Sequence, residues 1–367
     1  MQQSTKIRIA IIGVGNCASS LVQGIHHYAA HSVAGLMSAE IGPYSVADIE
    51  PVVAFDVDAR KVGQNLHESI FAQPNCTARF CEVLPKTDVA VRMGCRFDGV
   101  AEHMLQYEAE QSFRLADVAE PTMAEVVQCL QEAQVDVLIN YLPVGSQHAT
   151  EFYMECALQA GVGVVNCIPV FIASDAVWQA RFKTAGVPIV GDDIKAQCGA
   201  TILHRRLMQL CRERGVSVKR TYQLNTGGNT DFLNMRDHQR IASKKQSKTD
   251  AVQAALAEPL QAQDIHVGPS DYVPWQHDNK VAFMRVEGEL FGGVPMNLEV
   301  RLSVEDSPNS AAVVVDAVRY CQLARERGIA GPLPAPSAFC CKHPPVQMDE
   351  SLALRDIATF LAATEAV

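Results

Sequence analysis

Positive charge is what this chain is short of. Its 367 residues carry 31 Lys and Arg against 41 Asp and Glu, a formal net charge of -10, so its long-range field repels a phosphate backbone and excludes nucleic acid as the expected partner. Paired cysteine motifs are missing too. Twelve cysteines (17, 76, 81, 95, 129, 156, 167, 198, 211, 321, 340 and 341) are scattered without a CxxC spacing, which argues against a zinc knuckle or a disulfide framework and predicts reduced, buried thiols. No His/Cys cluster has metal-ligand spacing, and the eleven histidines read as surface or packing residues. The one apolar run near the start, "KIRIAIIGVG", is too short to span a bilayer and runs into a glycine turn with no cleavage-site pattern. No membrane partner is expected, and the location expected is cytoplasmic. There is no internal repeat and no long low-complexity linker.

What is present is 48% hydrophobic and 20% charged residues, enough for a full core and, at this length, about two domains. "KIRIAIIGVGNCASSLVQGIHHY" reads as strand, glycine turn and helix, and "PVVAFDVDARKVGQNL" as a second strand leading into a helical segment. "VDVLINY", "VGVVNCIP" and "AGVPIVG" continue the alternation of strand and helix, so a doubly wound parallel sheet is expected. After Arg214-Gly215, "VKRTYQLN", "KVAFMRVEGELF" and "VPMNLEVRLSVED" alternate polar and apolar residues, the pattern of a largely antiparallel sheet with one covered face. "SAAVVVDAVRYCQLARERG" reads as an amphipathic helix, and "GPLPAPSAFCCKHPP" as extended loop returning to the first domain. The fold class is thus α/β, a Rossmann-type domain over 1–200, an α+β domain over 201–310, and a C-terminal segment over 311–367.

"GVGNCA" fits the dinucleotide fingerprint: Gly13 permits the tight turn, Gly15 lets backbone approach a pyrophosphate, and Ala18 allows close helix packing. Asn16 and Cys17 lie inside it and count with the cofactor-binding residues, as does Tyr141 of "INYLPVGS". The ribose-binding acid is expected at the end of the second strand, as Asp56 or Asp58, about forty residues on rather than the usual ~20. An insertion, "HHYAAHSVAGLMSAEIGPYSVADIE", accounts for the difference. A carboxylate there favours NAD over NADP.

Five further stretches invite a chemical reading: "GDDIKAQCGAT", "NTGGNTDFLNM", the lysine-rich "SKKQSKT", "VEDSPNSA" and "AFCCKHPP". Taken singly, each has an ordinary explanation as a helix cap, an Asx-Gly turn, a solvated charged face or a loop lysine. Taken in order with "PVFIASD" and "HVGPSDYV", they make the chain resemble, nearly end to end, the myo-inositol-phosphate synthase (inositol-3-phosphate synthase) family in its short bacterial and archaeal form.

The resemblance implies an isomerase that uses NAD without consuming it. Glucose 6-phosphate is oxidised at its fifth carbon, the ketone acidifies the neighbouring methylene, the enolate attacks the terminal aldehyde, and reduction gives inositol phosphate. Enolate and aldolate oxygens call for fixed cations in a dry pocket. The family's pocket lysines fall on Lys195, Lys248 and Lys342, with Asp193 as their partner. Lys244, Asp231 and the Gly-Gly-Asn turn match the edge where nicotinamide, ribose and substrate meet, and Asp306 an acid near the nicotinamide; Lys245 is left as a solvated residue. Family members use either a divalent metal or a monovalent cation, and assemble as homotetramers through the central sheet. Eukaryotic members carry a longer fingerprint, and a further lysine-bearing stretch where this chain has "GATILHRR"; that lysine is not carried over, and its role is not assigned to His204. The rival readings are a dehydrogenase releasing NADH and a non-catalytic NAD-binding regulator.

Overall fold

The computed structural model describes residues 6–363 except 31, 32, 82, 83, 85, 86 and 238; residues 31 and 32 of the expected insertion therefore lie outside the described residues. In chain order the strands are β1 (Ile7–Ile12), β2 (Glu40–Ile41), β3 (Tyr44–Ser45), β4 (Ile49–Asp56), β5 (Val91–Met93), β6 (Val137–Asn140), β7 (Gly163–Asn166), β8 (Pro188–Val190), β9 (Ser217–Gly227), β10 (Ile265–Tyr272), β11 (Asn279–Glu289), β12 (Pro295–Glu305) and β13 (Gly331–Pro332). Seven of them form one parallel sheet in the order β13-β8-β7-β6-β1-β4-β5. The chain leaves β1 toward β4 and β5, then returns to its other flank at β6. That reversal opens a crevice beyond the carboxyl end of β1, where doubly wound sheets hold ligands. Strands such as Val137–Asn140 and Gly163–Asn166 are buried along their whole length, because helices cover both faces.

The second sheet runs β10-β9-β11-β12. β9, β11 and β12 pair antiparallel as their alternation suggests, but β10 pairs parallel to β9, so the sheet is mixed. One face packs on the helices Ala200–Glu213 and Ala242–Gln253 through Met208, Cys211, Val252, Val267 and Val286. The other leaves the cross-strand partners Leu224 and Phe283 exposed.

Two expectations need correction. The helix Asp306–Glu326 is not amphipathic: every residue from Val313 to Ala324 is buried, because it is sandwiched between the parallel sheet, the helix Asn16–Ala30 and the C-terminal elements. Its polar pair Asp316 and Arg319 is 2.5 Å apart, and Arg319 also donates to the carbonyls of Ser38, Ala39 and Tyr44, which is how a charge survives there. The proline-rich segment is not an extended loop. Gly331–Pro332 adds the edge strand β13, and Pro334–Cys340 is a helix whose Pro334 and Pro336 sit in the first turn, where backbone N–H groups have no intrahelical acceptor to lose. All twelve cysteines are free thiols and most are buried. No helix among the described residues is long and apolar enough to cross a membrane.

The C-terminal helix Glu350–Ala362 is fastened by its first residue. Glu350, 4% exposed, accepts from Arg205 Nε at 3.1 Å, from Gln209 Nε2 at 3.3 Å and from Lys195 Nζ at 3.4 Å. Glu350→Ala strands two buried cations and should cost about 3–5 kcal/mol, read as a lower denaturant midpoint with an unchanged slope; wild-type stability would show that the pairs contribute nothing.

Candidate functional site

One deep cavity joins the crevice of the parallel sheet to the second sheet. At its sheet end lies the glycine turn. Gly13 has φ +92°, and a Cβ on it would fall 2.8 Å from the Tyr141 carbonyl, so only glycine fits. A Cβ on Gly15 would meet no atom within 4 Å and would project into open space at the cavity wall. Asn16, Cys17 and Ala18 continue the lining at the start of the helix Asn16–Ala30. The Asn16 side chain accepts from the backbone N–H groups of Cys76 and Thr77, and burial pushes the Cys17 thiol up to about 12. Tyr141 lines the cavity with a buried hydroxyl that finds no partner among the described residues.

The two candidate ribose acids separate cleanly. Asp56, at the end of β4, lines the cavity and accepts the Val14 N–H at 2.7 Å, which braces the glycine turn. Asp58 is buried outside the cavity lining and is committed to Arg60 through Nε at 2.8 Å and Nη2 at 2.5 Å. Lys61, which sequence reasoning passed over, is buried beside Asp56 and donates to the Val14 carbonyl and to Asn75.

At the other end a pairing of two extended segments builds the centre of the site. The stretch 192–195 and the stretch 340–343 exchange backbone hydrogen bonds, Lys342 N–H to the Asp193 carbonyl at 2.7 Å and Lys195 N–H to the Cys340 carbonyl at 2.8 Å. That places Lys342 Nζ 2.8 Å from Asp193 Oδ1. The adjacent acids do different work: Asp192 is fully buried and accepts from Ile172, Ala173, Ser174 and Asn166, while Asp193 faces the cavity and accepts the Ser247 hydroxyl at 2.6 Å.

Ser247 belongs to the helix Ala242–Gln253, on which Lys244 and Lys248 are one turn apart on the buried face and Lys245 is exposed. Lys244 pairs with Asp231 at 2.5 Å, and Lys280 with Asp306 at 3.0 Å. Lys248, 3% exposed, donates no hydrogen bond to any described residue. Four ammonium groups thus face three carboxylates, and the unmatched one is Lys248. Burial, with Lys280, Lys244 and Lys342 nearby, lowers its pKa well below 10.5. Burial works the other way on Asp193 and Asp306, but Lys342 and Lys244 hold the first, and Lys280 the second, below the usual carboxylate value. The helix Ala200–Glu213 points its first turn at the same place: Gly199 provides no side-chain cap, and Ala200, Thr201 and Ile202 line the cavity.

Lys195 stands apart from this cluster. It lines the cavity, yet its ammonium donates to the Ala338 carbonyl at 2.6 Å and pairs with Glu350, and burial, opposed by Glu350 and reinforced by Arg205, lowers its pKa to about 8. His204 is buried against Thr221 and is not among the cavity-lining residues. Among the described residues no group of three or more His, Cys, Asp or Glu could hold a metal ion.

Inositol-3-phosphate synthase of Mycolicibacterium smegmatis is 52% identical over 368 residues, spanning 98% of this chain and 99% of its own. That of Corynebacterium glutamicum is 48% identical over 370 residues, with 98% and 99% covered. The chain belongs to the myo-inositol-1-phosphate synthase family. The family's sequence model matches residues 199–307, the span that carries Asp231, Lys244, Lys248, Lys280 and Asp306. A myo-inositol-1-phosphate synthase-related protein from Thermotoga maritima shares the fold, with a TM-score of 0.82 over 99% of this chain and all of its own at 24% identity. Membership makes the chain an enzyme, an intramolecular lyase of the isomerase class.

Like Lys61, Lys280 was missed by sequence reasoning. It sits at the start of β11, in "DNKVAF", where the run reads as strand alone. Nothing local in the sequence marks it, since its partner Asp306 lies 26 residues further along the chain.

A desolvated ammonium without a counterion destabilises the free protein. The penalty is full below the lowered folded-state pKa of Lys248 and fades as pH rises through it. Lys248→Met should therefore raise the thermal midpoint at neutral pH by about 2 °C or more, with a smaller gain at high pH. Inorganic phosphate should raise the wild-type midpoint, and Lys248→Met should lose that rise. A midpoint below wild type, or one that phosphate still raises, would remove Lys248 as the anion's partner.

Proposed function

We propose that the chain converts D-glucose 6-phosphate to 1D-myo-inositol 3-phosphate with NAD recycled in the site, and that it does so in the cytoplasm. The observation that carries this reading is the buried, unmatched ammonium of Lys248 inside a cluster already balanced pair by pair. An anion is what the cluster lacks, and the uncapped turn at Gly199–Ile202 offers backbone N–H groups to the same space. A sugar phosphate supplies that anion.

NAD fits the other end on three features of the chain. The missing Cβ of Gly15 leaves room for a pyrophosphate, Asp56 offers acceptors for ribose hydroxyls, and the Tyr141 hydroxyl awaits a partner. Gly13, Gly15, Asn16, Cys17, Ala18, Asp56 and Tyr141 would hold it, with Asp231, Lys244 and Asp306 at the edge toward the sugar. When bound it supplies reversible hydride acceptance and return. The cation proposed beside it is a divalent metal or a monovalent ion, and the roles below are those of the chain's own residues.

The chain's own contribution is electrostatic and prototropic. Lys342 is oriented by Asp193, and Lys248 meets it from the neighbouring helix, so the two can face the oxygens that carry charge in turn, the ketone oxygen in the enolate and the aldehyde oxygen in the aldolate. Fixed donors in a water-poor site favour that charge far more than water would. A lysine whose pKa is lowered well below 10.5 is also better suited to exchange a proton with the substrate. Lys195, with a pKa near 8, is a second such group, though Glu350 and Ala338 hold its ammonium.

The assembly proposed is a homotetramer through the second sheet, whose outer face exposes Leu224 and Phe283 side by side and whose β11–β12 hairpin tip exposes Phe291 almost completely. Phe283→Glu should shift the mass measured by light scattering toward smaller species, and an unchanged mass would place the interface elsewhere.

Incubation with NAD and glucose 6-phosphate separates the readings. The synthase yields inositol phosphate with no net NADH, a dehydrogenase yields stoichiometric NADH, and a regulator yields neither. Lys248→Ala should lower kcat at least ~100-fold with NAD affinity nearly unchanged; wild-type turnover would exclude it from the chemistry.

A further inference from the structure

Asp278 has no role so far, and it is the carboxylate whose burial is hardest to explain. It is 1% exposed and takes part in no ion pair among the described residues. Such a group is costly unless hydrogen bonds replace its water. Here they do. Oδ1 accepts from Asn229 Nδ2 at 2.9 Å and from Ser307 Oγ at 2.8 Å, Oδ2 accepts the Ser307 N–H at 3.1 Å, and the Thr77 side chain hydrogen-bonds as well. The Asp278 carbonyl accepts the Asp306 N–H at 3.0 Å.

Each of these contacts leads to the cavity. Asn229 caps the turn of helix that carries Asp231, by accepting the Asp231 and Phe232 N–H groups, and Asp231 holds Lys244. Ser307 follows Asp306, which holds Lys280, and its hydroxyl lies 3.9 Å from Cys17 Sγ in the fingerprint. Thr77 meets Ser20 on the fingerprint helix at 3.0 Å. Lys280 is itself two residues along the chain from Asp278.

We propose that Asp278 is a positioning residue for the reaction: through Asn229 and Ser307 it fixes the Lys244–Asp231 and Lys280–Asp306 pairs relative to each other and to the cofactor turn. Only an ionised carboxylate can accept from all four donors; an amide would turn N–H toward the Ser307 N–H or the Thr77 hydroxyl. Asn229, Ser307, Thr77, Asp306 and the thiols of Cys17 and Cys76 are the groups that face it, and Lys280, the nearest cation along the chain, is held on Asp306. Burial and then Asp306 raise its pKa to about 6, while Asn229, Ser307 and Thr77 oppose the rise. Below that pH it gains a proton, loses an acceptor and lets the two pairs drift. The inference rests on the proposed function for its kinetic consequence, not for its geometry.

The test compares wild type, Asp278→Asn and Ser307→Ala as full-length chains. Asp278→Asn should lower kcat about 10- to 100-fold, the scale of a small misplacement, with KM for glucose 6-phosphate and affinity for NAD within about threefold, and should flatten the acid limb of kcat near pH 6. Ser307→Ala keeps the carboxylate but removes a donor that lowers its pKa, so its acid limb should move to higher pH. A purely structural role would reduce the folded fraction and leave the kcat of folded enzyme and its acid limb as in wild type, which would overturn the proposal. Should wild type form no inositol phosphate, the proposed function fails, and a crystal structure of Asp278→Asn still decides the inference: both lysine pairs must be displaced, and undisturbed pairs overturn it. If Asp278→Asn does not fold, Ser307→Ala carries both readouts.

Discussion

The cavity is organised by the cost of burying Asp193. A carboxylate 3% exposed stays ionised only with cations and donors around it. Lys342, Ser247 and, at longer range, Lys244 meet that demand. Those groups come from the C-terminal segment and from the helix Ala242–Gln253, while Asp193 follows β8 of the parallel sheet. One charge therefore locks three separate parts of the chain together, and the docking that satisfies it also brings Lys248 into the cavity. Assembly of the site and closure of the fold are the same event.

The acidic surface and the cationic pocket are compatible because they act over different distances. A net charge of -10 opposes any approaching anion, but exposed charges are screened within about 8 Å at physiological ionic strength. Inside the cavity the screening is weak, and the paired lysines are already neutralised by Asp231, Asp306 and Asp193. Of the four lysines there, Lys248 is the one without a paired carboxylate.

Much of this was legible in the sequence, and the failures have physical reasons. The glycine turn was readable because Gly13 and Gly15 are required by backbone conformation and by empty space, constraints that act at the residue itself. Lys244 and Lys248 were legible only through the family resemblance, because by spacing alone the lysine-rich stretch reads as a solvated charged face. The choice between Asp56 and Asp58 was not legible, since the two lie two residues apart at the close of one apolar run, and the Arg60 fork that holds Asp58 is itself aimed by the distant carbonyls of Ala109 and Ser112. Lys280 and Asp278 were hidden because their partners Asp306, Ser307 and Asn229 lie 26 to 49 residues away along the chain. The helix Asp306–Glu326 misled because Asp316 and Arg319 imitate a polar face although they neutralise one another inside the core.

Lys195 raises a different issue, the relation between the C-terminal helix and the site. Its motif puts it in the cavity wall, but Glu350 draws its ammonium toward Arg205 and the carbonyl of Ala338. A buried ion pair is weak evidence of stability, since apolar residues of the same size often serve as well. It does specify an arrangement: Glu350 at the first turn of a helix satisfies two cations only when that helix sits against both the Lys195 strip and the helix Ala200–Glu213, whose own first turn faces the cavity. Glu350 therefore couples the position of the last helix to the geometry around Asp193, two residues before Lys195. A chain that had folded its sheets but not seated this helix would hold Lys195 as a second unmatched cation beside the substrate space, and the balance that singles out Lys248 would be lost.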